Sequence, residues 1–309
     1  MPQLLSPKQV AAAIGASESS LKRWCDQGLL TMVKTAGGHR RIPVQEALRF
    51  VREHNHTVVE PQLLAMPGTD DRKARRIENC AERLAENLLA NNEQACHAIV
   101  FDHFLAGQPV SRIFDQVIAA AFRIIGEKWE CHKAEIYQER CCCQIALRIL
   151  HELRSKQPPP HSGRVAFGAT MEGDQYSLPV TMGEIVLRSV GWNARLLGSS
   201  IPYESIAKSV QEHEPGLLWL SVSHIPDESA FIAGFNRLFA IAAKTNTAVV
   251  VGGRALTAEI RTQLRYSSFC DTMRHLEEFA NALRQHSESG KAESDKSAPA
   301  KPRKKLKKV

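Results

Sequence analysis

Residues 35–42, TAGGHRRI, place His39, Arg40 and Arg41 directly after two glycines. Guanidinium groups pair well with phosphate oxygens, and glycine permits the sharp backbone turn that would expose them. The stretch therefore predicts a tight turn that presents positive charge to a phosphate backbone, although a solvated loop is the simpler alternative. No catalytic pattern accompanies it, since the sequence contains neither H-E-x-x-H nor a phosphate-binding P-loop.

The second group with possible chemistry is a set of 8 cysteines, three of them consecutive. They form no C-x-x-C pair, so a zinc framework or a disulfide scaffold is not expected, and reduced thiols are. Helical spacing favours burial of Cys142 and Cys143 as small apolar residues. Because Arg140 could lower a neighbouring thiol pKa, redox sensing through Cys131 and Cys141 to Cys143 stays open as an alternative.

Charge is segregated along the 309 residues, which carry a formal net charge of +7. Residues 1–56 hold 8 Lys/Arg against 4 Asp/Glu, and residues 287–309 hold 8 against 3. Two basic ends around a near-neutral centre favour nucleic-acid contact at the ends. No signal peptide or membrane-spanning run is recognisable, so we expect a soluble cytoplasmic protein.

The elements around the basic turn predict a winged helix-turn-helix. Ser6 and Pro7 are typical of a helix start, and Ser17 can cap a second helix, with Gly28 just past its end. A short hairpin around the glycines and a further helix from Pro43 complete the unit. The second helix would enter the major groove, and the hairpin would lie against the sugar-phosphate backbone.

This stretch, SESSLKRWCDQGLL followed by TAGGHRRI, resembles the recognition helix and wing of the MerR family of transcription regulators. The resemblance covers about residues 4–54. It implies double-stranded promoter or operator DNA as a partner, a homo-oligomer, and RNA polymerase as a possible further partner. The DNA contacts that it implies are Ser19, Lys22, Arg23, Lys34, His39, Arg40 and Arg41. Trp24 is expected in the core of the unit.

The remainder is predicted to be a helical bundle followed by an alternating α/β domain. Residues 72–156 are strongly helical, and after the proline-rich stretch 156–163 strands alternate with helices, which is typical of a parallel sheet. We therefore expect an α and α/β multidomain fold: a winged helix-turn-helix, a bundle, a flavodoxin-like (Rossmann-like) domain and a disordered basic tail. The expected boundaries are 1–56, 57–71 (linker), 72–157, 158–163 (linker), 164–286 and 287–309.

Bundle and α/β domain together resemble the cobalamin-dependent, light-sensing repressors that carry a MerR-type head. In such α/β domains the first strand is followed by D/E-x-H-x-x-G, whose histidine ligates cobalt. Here the loop reads MEGDQYSLP, so Asp174 matches the acid and Tyr176 replaces the histidine. The other positions that the resemblance implies at the cofactor are Trp129, Glu139, Ser221, Ser223, Gly252 and Gly253.

Several functions remain open on these residues. The favoured one is a non-enzymatic, sequence-specific transcription regulator with a degenerate cobalamin-binding-type module for sensing or oligomerisation. Cobalamin, haem, another tetrapyrrole or no cofactor at all are alternatives, with a light- or redox-responsive repressor as the matching function. A corrinoid enzyme subunit and an excisionase-like architectural DNA protein are the remaining ones, and no metal site is expected.

Overall fold

The structure is a computed structural model. It describes residues 4–35, 38–54, 56, 58, 61–64, 79–131, 135–157, 159 and 163–296. Within these ranges, no helix has both the length and the apolar character needed to cross a membrane.

The N-terminal unit is built from short elements with strong local start signals. Ser6 accepts a hydrogen bond from the backbone N–H of Gln9, whose side chain in turn accepts from the Ser6 backbone N–H. Ser17 caps the second helix through the N–H of Ser20. The elements are β1 (Leu4–Leu5), α1 (Pro7–Ala13), α2 (Glu18–Asp26), β2 (Val33–Lys34), β3 (Arg40–Pro43), α3 (Val44–Glu53) and a 3-10 turn (Pro61–Leu64).

The second unit is a helical bundle, as the apolar periodicity predicts. Its elements are α4 (Cys80–Leu89), α5 (Glu93–Leu105), α6 (Val110–Ile113), a π-helical segment (Phe114–Ile118), α7 (Ala119–Glu130) and α8 (Ile136–Lys156). The predicted helix start near Arg72 lies outside the described residues. Buried side chains of the bundle form one continuous cluster with those of the N-terminal unit and of the first helix after the bundle.

The third unit alternates strands and helices from residue 165 onward. Its elements are β4 (Val165–Met171), α9 (Leu178–Ser189), β5 (Asn193–Ile201), α10 (Tyr203–His213), β6 (Leu217–Ser221), α11 (Glu228–Lys244), β7 (Ala248–Gly252), α12 (Ala258–Gln263), β8 (Ser268–Phe269) and α13 (Met273–Lys296). The strands pair in parallel in the order β5-β4-β6-β7-β8. This is the flavodoxin-like order, confirming the predicted fold class.

The two faces of the sheet carry separate cores. One contains Trp192 and Trp219 together with residues of α9 and α13, and the other contains residues of α10, α11 and α12. Helix α9 also packs on α8, so it is the layer that joins the bundle to the sheet.

Three elements of the structure differ from the sequence prediction. The sequence predicts a helix in GEIVLRSVGW, from Gly183, whereas α9 begins at Leu178. Pro179 falls in its first turn, where the missing backbone N–H of proline has no partner to lose. Strand β8 was not predicted, since two residues carry no recognisable periodicity. Helix α13 continues to Lys296, so residues 287–296 are helical rather than part of a disordered tail. Extending an existing helix adds a hydrogen bond for each residue and needs no new nucleation. Residues 297–309 lie outside the described part.

Candidate functional site

Helix α2 presents one polar face to solvent. Leu21 and Cys25 are buried in the core, while Ser19, Lys22 and Arg23 are exposed on the other side. The exposed set is what a helix needs in order to contact base edges and phosphates in a major groove.

The hairpin β2–β3 places further cations beside α2. Lys34 pairs with Arg40 across the two antiparallel strands, and the turn closes through Gly38, whose φ is +77°. Lys34 and His39 are exposed, and Arg40 and Arg41 are half-buried. Residues 36 and 37, including the first glycine of the turn, lie outside the described residues.

Among the residues that the structure describes, two of these cations form ion pairs within the unit. Arg40 pairs with Asp26 at 3.2 Å, which ties the hairpin to the end of α2, and Lys22 pairs with Glu18 at 3.2 Å. Within the described part of the chain, no ion pair or side-chain hydrogen bond occupies Arg23, Lys34 or Arg41. The face formed by α2 and the hairpin therefore carries cations that are available to an external anion.

Trp24 belongs to the core of the unit, as the sequence predicts. Its ring centroid lies 5.0 Å from that of Phe50 and 5.0 Å from that of His56. Burial in this aromatic group lowers the pKa of His56. Trp24 thus fixes α2 against α3 and is not part of the exposed face.

At the other end of the molecule, the expected cofactor positions meet at the carboxyl edge of the parallel sheet. Asp174 and Tyr176 lie in the loop after β4, Ser221 ends β6, and Gly252 ends β7. Strands β4 and β6 are neighbours in the sheet, but β4 is followed by β5 on one side and β6 by β7 on the other. Parallel sheets bind ligands at the carboxyl ends of two such strands. Ser223 and Gly253 follow β6 and β7 at the same edge.

Asp174 forms hydrogen bonds with the protein backbone at this edge. The residue is 1% exposed, and its two carboxylate oxygens accept from the N–H of Tyr176 at 2.9 Å and of Ser223 at 2.6 Å. The carboxylate thus clamps the loop after β4 to the loop after β6.

Tyr176 contacts the bundle directly. The Sγ of Cys143 in α8 donates to the Tyr176 hydroxyl at 3.7 Å. Burial is the main cause that raises the pKa of Tyr176, and the nearby Cys143 and Glu139 raise it further. The phenol therefore stays neutral, and the contact closes the bundle onto the sheet edge where a ligand histidine would stand.

The two glycines after β7 are required by backbone packing. A Cβ on Gly252 would lie 2.3 Å from the carbonyl oxygen of Cys270, and one on Gly253 would lie 2.1 Å from that of Val222. Gly253 also has a φ of +130°. Close approach of neighbouring loops accounts for both positions.

The cysteines divide into buried and exposed members. Burial raises the pKa of Cys142 and of Cys143 to about 11, so both are thiols at neutral pH, whereas Cys131 and Cys141 are exposed. Within the described ranges, no cluster of His, Cys, Asp and Glu could hold a metal ion. The side chain of Trp129 lies outside the described residues.

A cavity of about 200 Å³ opens beneath the same edge, and Trp219 and Asp115 are among the lining residues that were not predicted. Trp219 forms its floor, with the indole N–H donating to the carbonyl of Val180 at 3.1 Å. Asp115 lies in the π-helical segment on the bundle side. The available signals were a tryptophan in an otherwise aliphatic strand and a carboxylate within the apolar run IFDQVIAAAF.

The end of helix α8 joins all three units. Gln45 of α3 donates to the carbonyl of Ser155 at 2.7 Å, and Arg154 pairs at 2.7 Å with Glu184 of α9, which is buried. A change at the sheet edge that moves α9 would therefore reach the DNA-contacting unit through α8.

Comparison with known protein families assigns the first two units. Residues 4–55 match the family model described as a helix-turn-helix domain, and residues 80–154 match the one described as a B12 binding domain.

Two known proteins are similar to the chain over most of its length. The HTH-type transcriptional repressor CarH of Myxococcus xanthus is 27% identical over 214 residues, which covers 63% of this chain and 70% of that relative. The monomethylamine corrinoid protein of Methanosarcina barkeri aligns with a TM-score of 0.56 and 15% identity, covering 66% of this chain and 98% of that protein. At this identity the second likeness supports the fold alone.

Proposed function

We propose that this chain, a DNA-binding regulator that joins a helix-turn-helix domain to a cobalamin-binding-type module, controls transcription as a MerR-type repressor or activator without cobalt ligation. The contact between Tyr176 and Cys143 is the observation that carries the second half of the proposal. It replaces a metal-ligating imidazole by a neutral phenol and uses that phenol inside the protein.

Cobalamin does not fit the residues present at the sheet edge. The position of the lower ligand holds a phenol, a poor ligand for cobalt, and Asp174 bonds to two backbone N–H groups rather than to an imidazole. The space between β4 and α9 is also filled, because a Cβ on Gly168 would lie 2.1 Å from the indole of Trp219. Haem ligation by the buried Tyr176 is disfavoured by its raised pKa.

The proposed DNA interface is the exposed face of α2 with the hairpin. Ser19, Lys22 and Arg23 would reach into the major groove, and Lys34, His39 and Arg41 would contact the flanking phosphates. A two-fold operator would require a homo-oligomer with paired heads, and contact with RNA polymerase would follow at a promoter. The basic residues 297–309 would add affinity that does not depend on sequence.

Selection of duplexes from a random library, followed by footprinting of the enriched sequence, tests the DNA half. Sequence-specific protection is the expected result. Equal binding to all duplexes, with compaction of long DNA, would instead support an architectural DNA protein.

Absorption spectra test the cofactor half. The full chain is mixed with adenosylcobalamin or haem in the dark, separated from free pigment on a desalting column, and scanned, with the monomethylamine corrinoid protein treated in parallel with cobalamin. We expect a colourless chain. A retained corrin or haem band would overturn the proposal that the module works without a tetrapyrrole.

A further inference from the structure

The cavity at the sheet edge lies between the bundle and the α/β unit. It is lined by the π-helical segment and α7 on one side, and by α9, the ends of β6 and β7 and the start of α13 on the other. Its walls are mostly apolar, with Met182, Trp219 and Leu276 among them. At about 200 Å³ it is smaller than the roughly 300–1,000 Å³ that drug-sized ligands occupy, so a tetrapyrrole ring is too large for it.

A buried hydroxyl in this cavity lacks a partner. Ser221 is 6% exposed, and within the described residues its Oγ makes no hydrogen bond. An unsatisfied buried polar atom destabilises the fold, and native proteins keep few of them. A ligand atom that bonds to this oxygen would remove that destabilisation.

A carboxylate on the bundle side also has free acceptor capacity. Asp115 accepts from the N–H of Met273 at 2.8 Å and of Arg274 at 3.0 Å, one bond to each oxygen. A carboxylate has about four acceptor positions, so two are left. Burial raises the pKa of Asp115, which reflects the low polarity around it. Asp115 lies in the π-helical segment, and such segments are frequent at functional sites.

We propose that this cavity, with Asp115 in its bundle-side wall, binds a compact, largely apolar molecule of one or two rings whose N–H group donates to the Ser221 hydroxyl oxygen. The effect on DNA binding rests on the proposed regulatory function. The ligand would contact both units and so favour one arrangement of bundle and sheet. Met182 and Glu184 belong to the same helix, α9, and Glu184 pairs with Arg154 of α8 next to the DNA-contacting unit.

Titration calorimetry on the full chain with indole as the probe tests the site. Indene has the same shape without the N–H and is the matched control. We expect indole to bind about two- to tenfold more tightly than indene, which is the range expected for one hydrogen bond. Ser221→Ala should weaken indole binding about two- to tenfold, whereas the matched Ser223→Ala, which alters no lining residue of the cavity, should not.

A filled cavity gives the second test. Ala119→Leu adds bulk to the bundle-side wall and should abolish indole binding while the far-ultraviolet circular dichroism stays unchanged. Equal affinities for indole and indene, or full indole binding by both Ser221→Ala and Ala119→Leu, would overturn the site. That result would leave sequence-specific DNA binding intact, whereas loss of sequence preference in the untreated chain would overturn the proposed function and not the site.

Discussion

The DNA-contacting face and the loop after β4 at the carboxyl edge of the sheet differ in whether their polar side chains have partners within the protein. On the first, Arg23, Lys34 and Arg41 have no ion pair within the described residues. At the second, Asp174 and Tyr176 are bonded to the protein itself. Polar groups that the fold leaves without partners are available to a ligand, and those that it satisfies are part of the scaffold.

The largest expected effect concerns the clamp at the sheet edge. Asp174→Ala leaves two backbone N–H groups unsatisfied in a buried loop and should cost about 3–5 kcal/mol in the free energy of unfolding. The matched control is Asp227→Ala, because Asp227 accepts a single backbone bond at the exposed start of α11 and should cost about 1 kcal/mol. Urea unfolding measures both, and similar costs would contradict a structural role for Asp174.

The second effect concerns the available cations. The double variant Arg23→Ala/Arg41→Ala should weaken operator binding about 100-fold and lower the slope of log affinity against log salt by about 2. Fluorescence anisotropy over a range of salt concentrations measures both quantities. Arg148→Ala is the control, since this exposed arginine of α8 pairs with Glu93 at 2.7 Å in the bundle. Equal losses in the two proteins would place the DNA interface elsewhere.

The two regions also differ in how much of their structure the sequence predicts. The N-terminal unit was predictable because its signals are local. Ser6 and Ser17 each cap a helix that begins at the next residue, by accepting from a backbone N–H three residues further on, and Gly28 follows the end of α2. The location of the sheet edge followed from alternating strands and helices. Its chemistry did not, because Tyr176 meets Cys143 from another unit, and Asp115 meets Met273 at a separation of 158 residues. Such partners are set by tertiary packing.

The third effect concerns the contact between Cys143 and Tyr176 and is measured as the pH dependence of the unfolding free energy. Burial raises the pKa of Cys143 to about 11, above the ordinary thiol value, so the neutral thiol is favoured in the folded state. The stability that this thiol contributes is complete below about pH 9 and is lost as pH rises to about 11, at up to ~1.4 kcal/mol per unit. Cys143→Ala should flatten the fall in unfolding free energy over this range by about 1–2 kcal/mol.

The adjacent cysteine provides the control for that measurement. Cys141 is exposed on the same helix, so Cys141→Ala should leave the alkaline fall unchanged. If both variants flatten the alkaline fall equally, Cys143 is as accessible to solvent as Cys141, and the contact between Tyr176 and Cys143 does not form in solution. The sheet edge would then resemble the exposed DNA-contacting face more than its hydrogen bonds indicate.

The smallest effect concerns Arg40, a hairpin cation that forms an ion pair within its own unit. Arg40 pairs with Asp26 at 3.2 Å, and the two side chains are 39% and 61% exposed. Asp26→Ala should change stability by less than about 0.5 kcal/mol, because exposed pairs contribute little.

Operator affinity should rise about two- to threefold in the same variant, since Arg40 is released and a negative charge near the phosphates is removed. Glu53→Ala, which removes an exposed partner of Arg49 on α3, is the control and should leave affinity unchanged. A fall in affinity for Asp26→Ala alone would mean that the ion pair holds the hairpin in its binding conformation. In that case the pair with Asp26 would hold Arg40 in position for DNA. A side chain with a partner inside the protein could then also belong to the binding site.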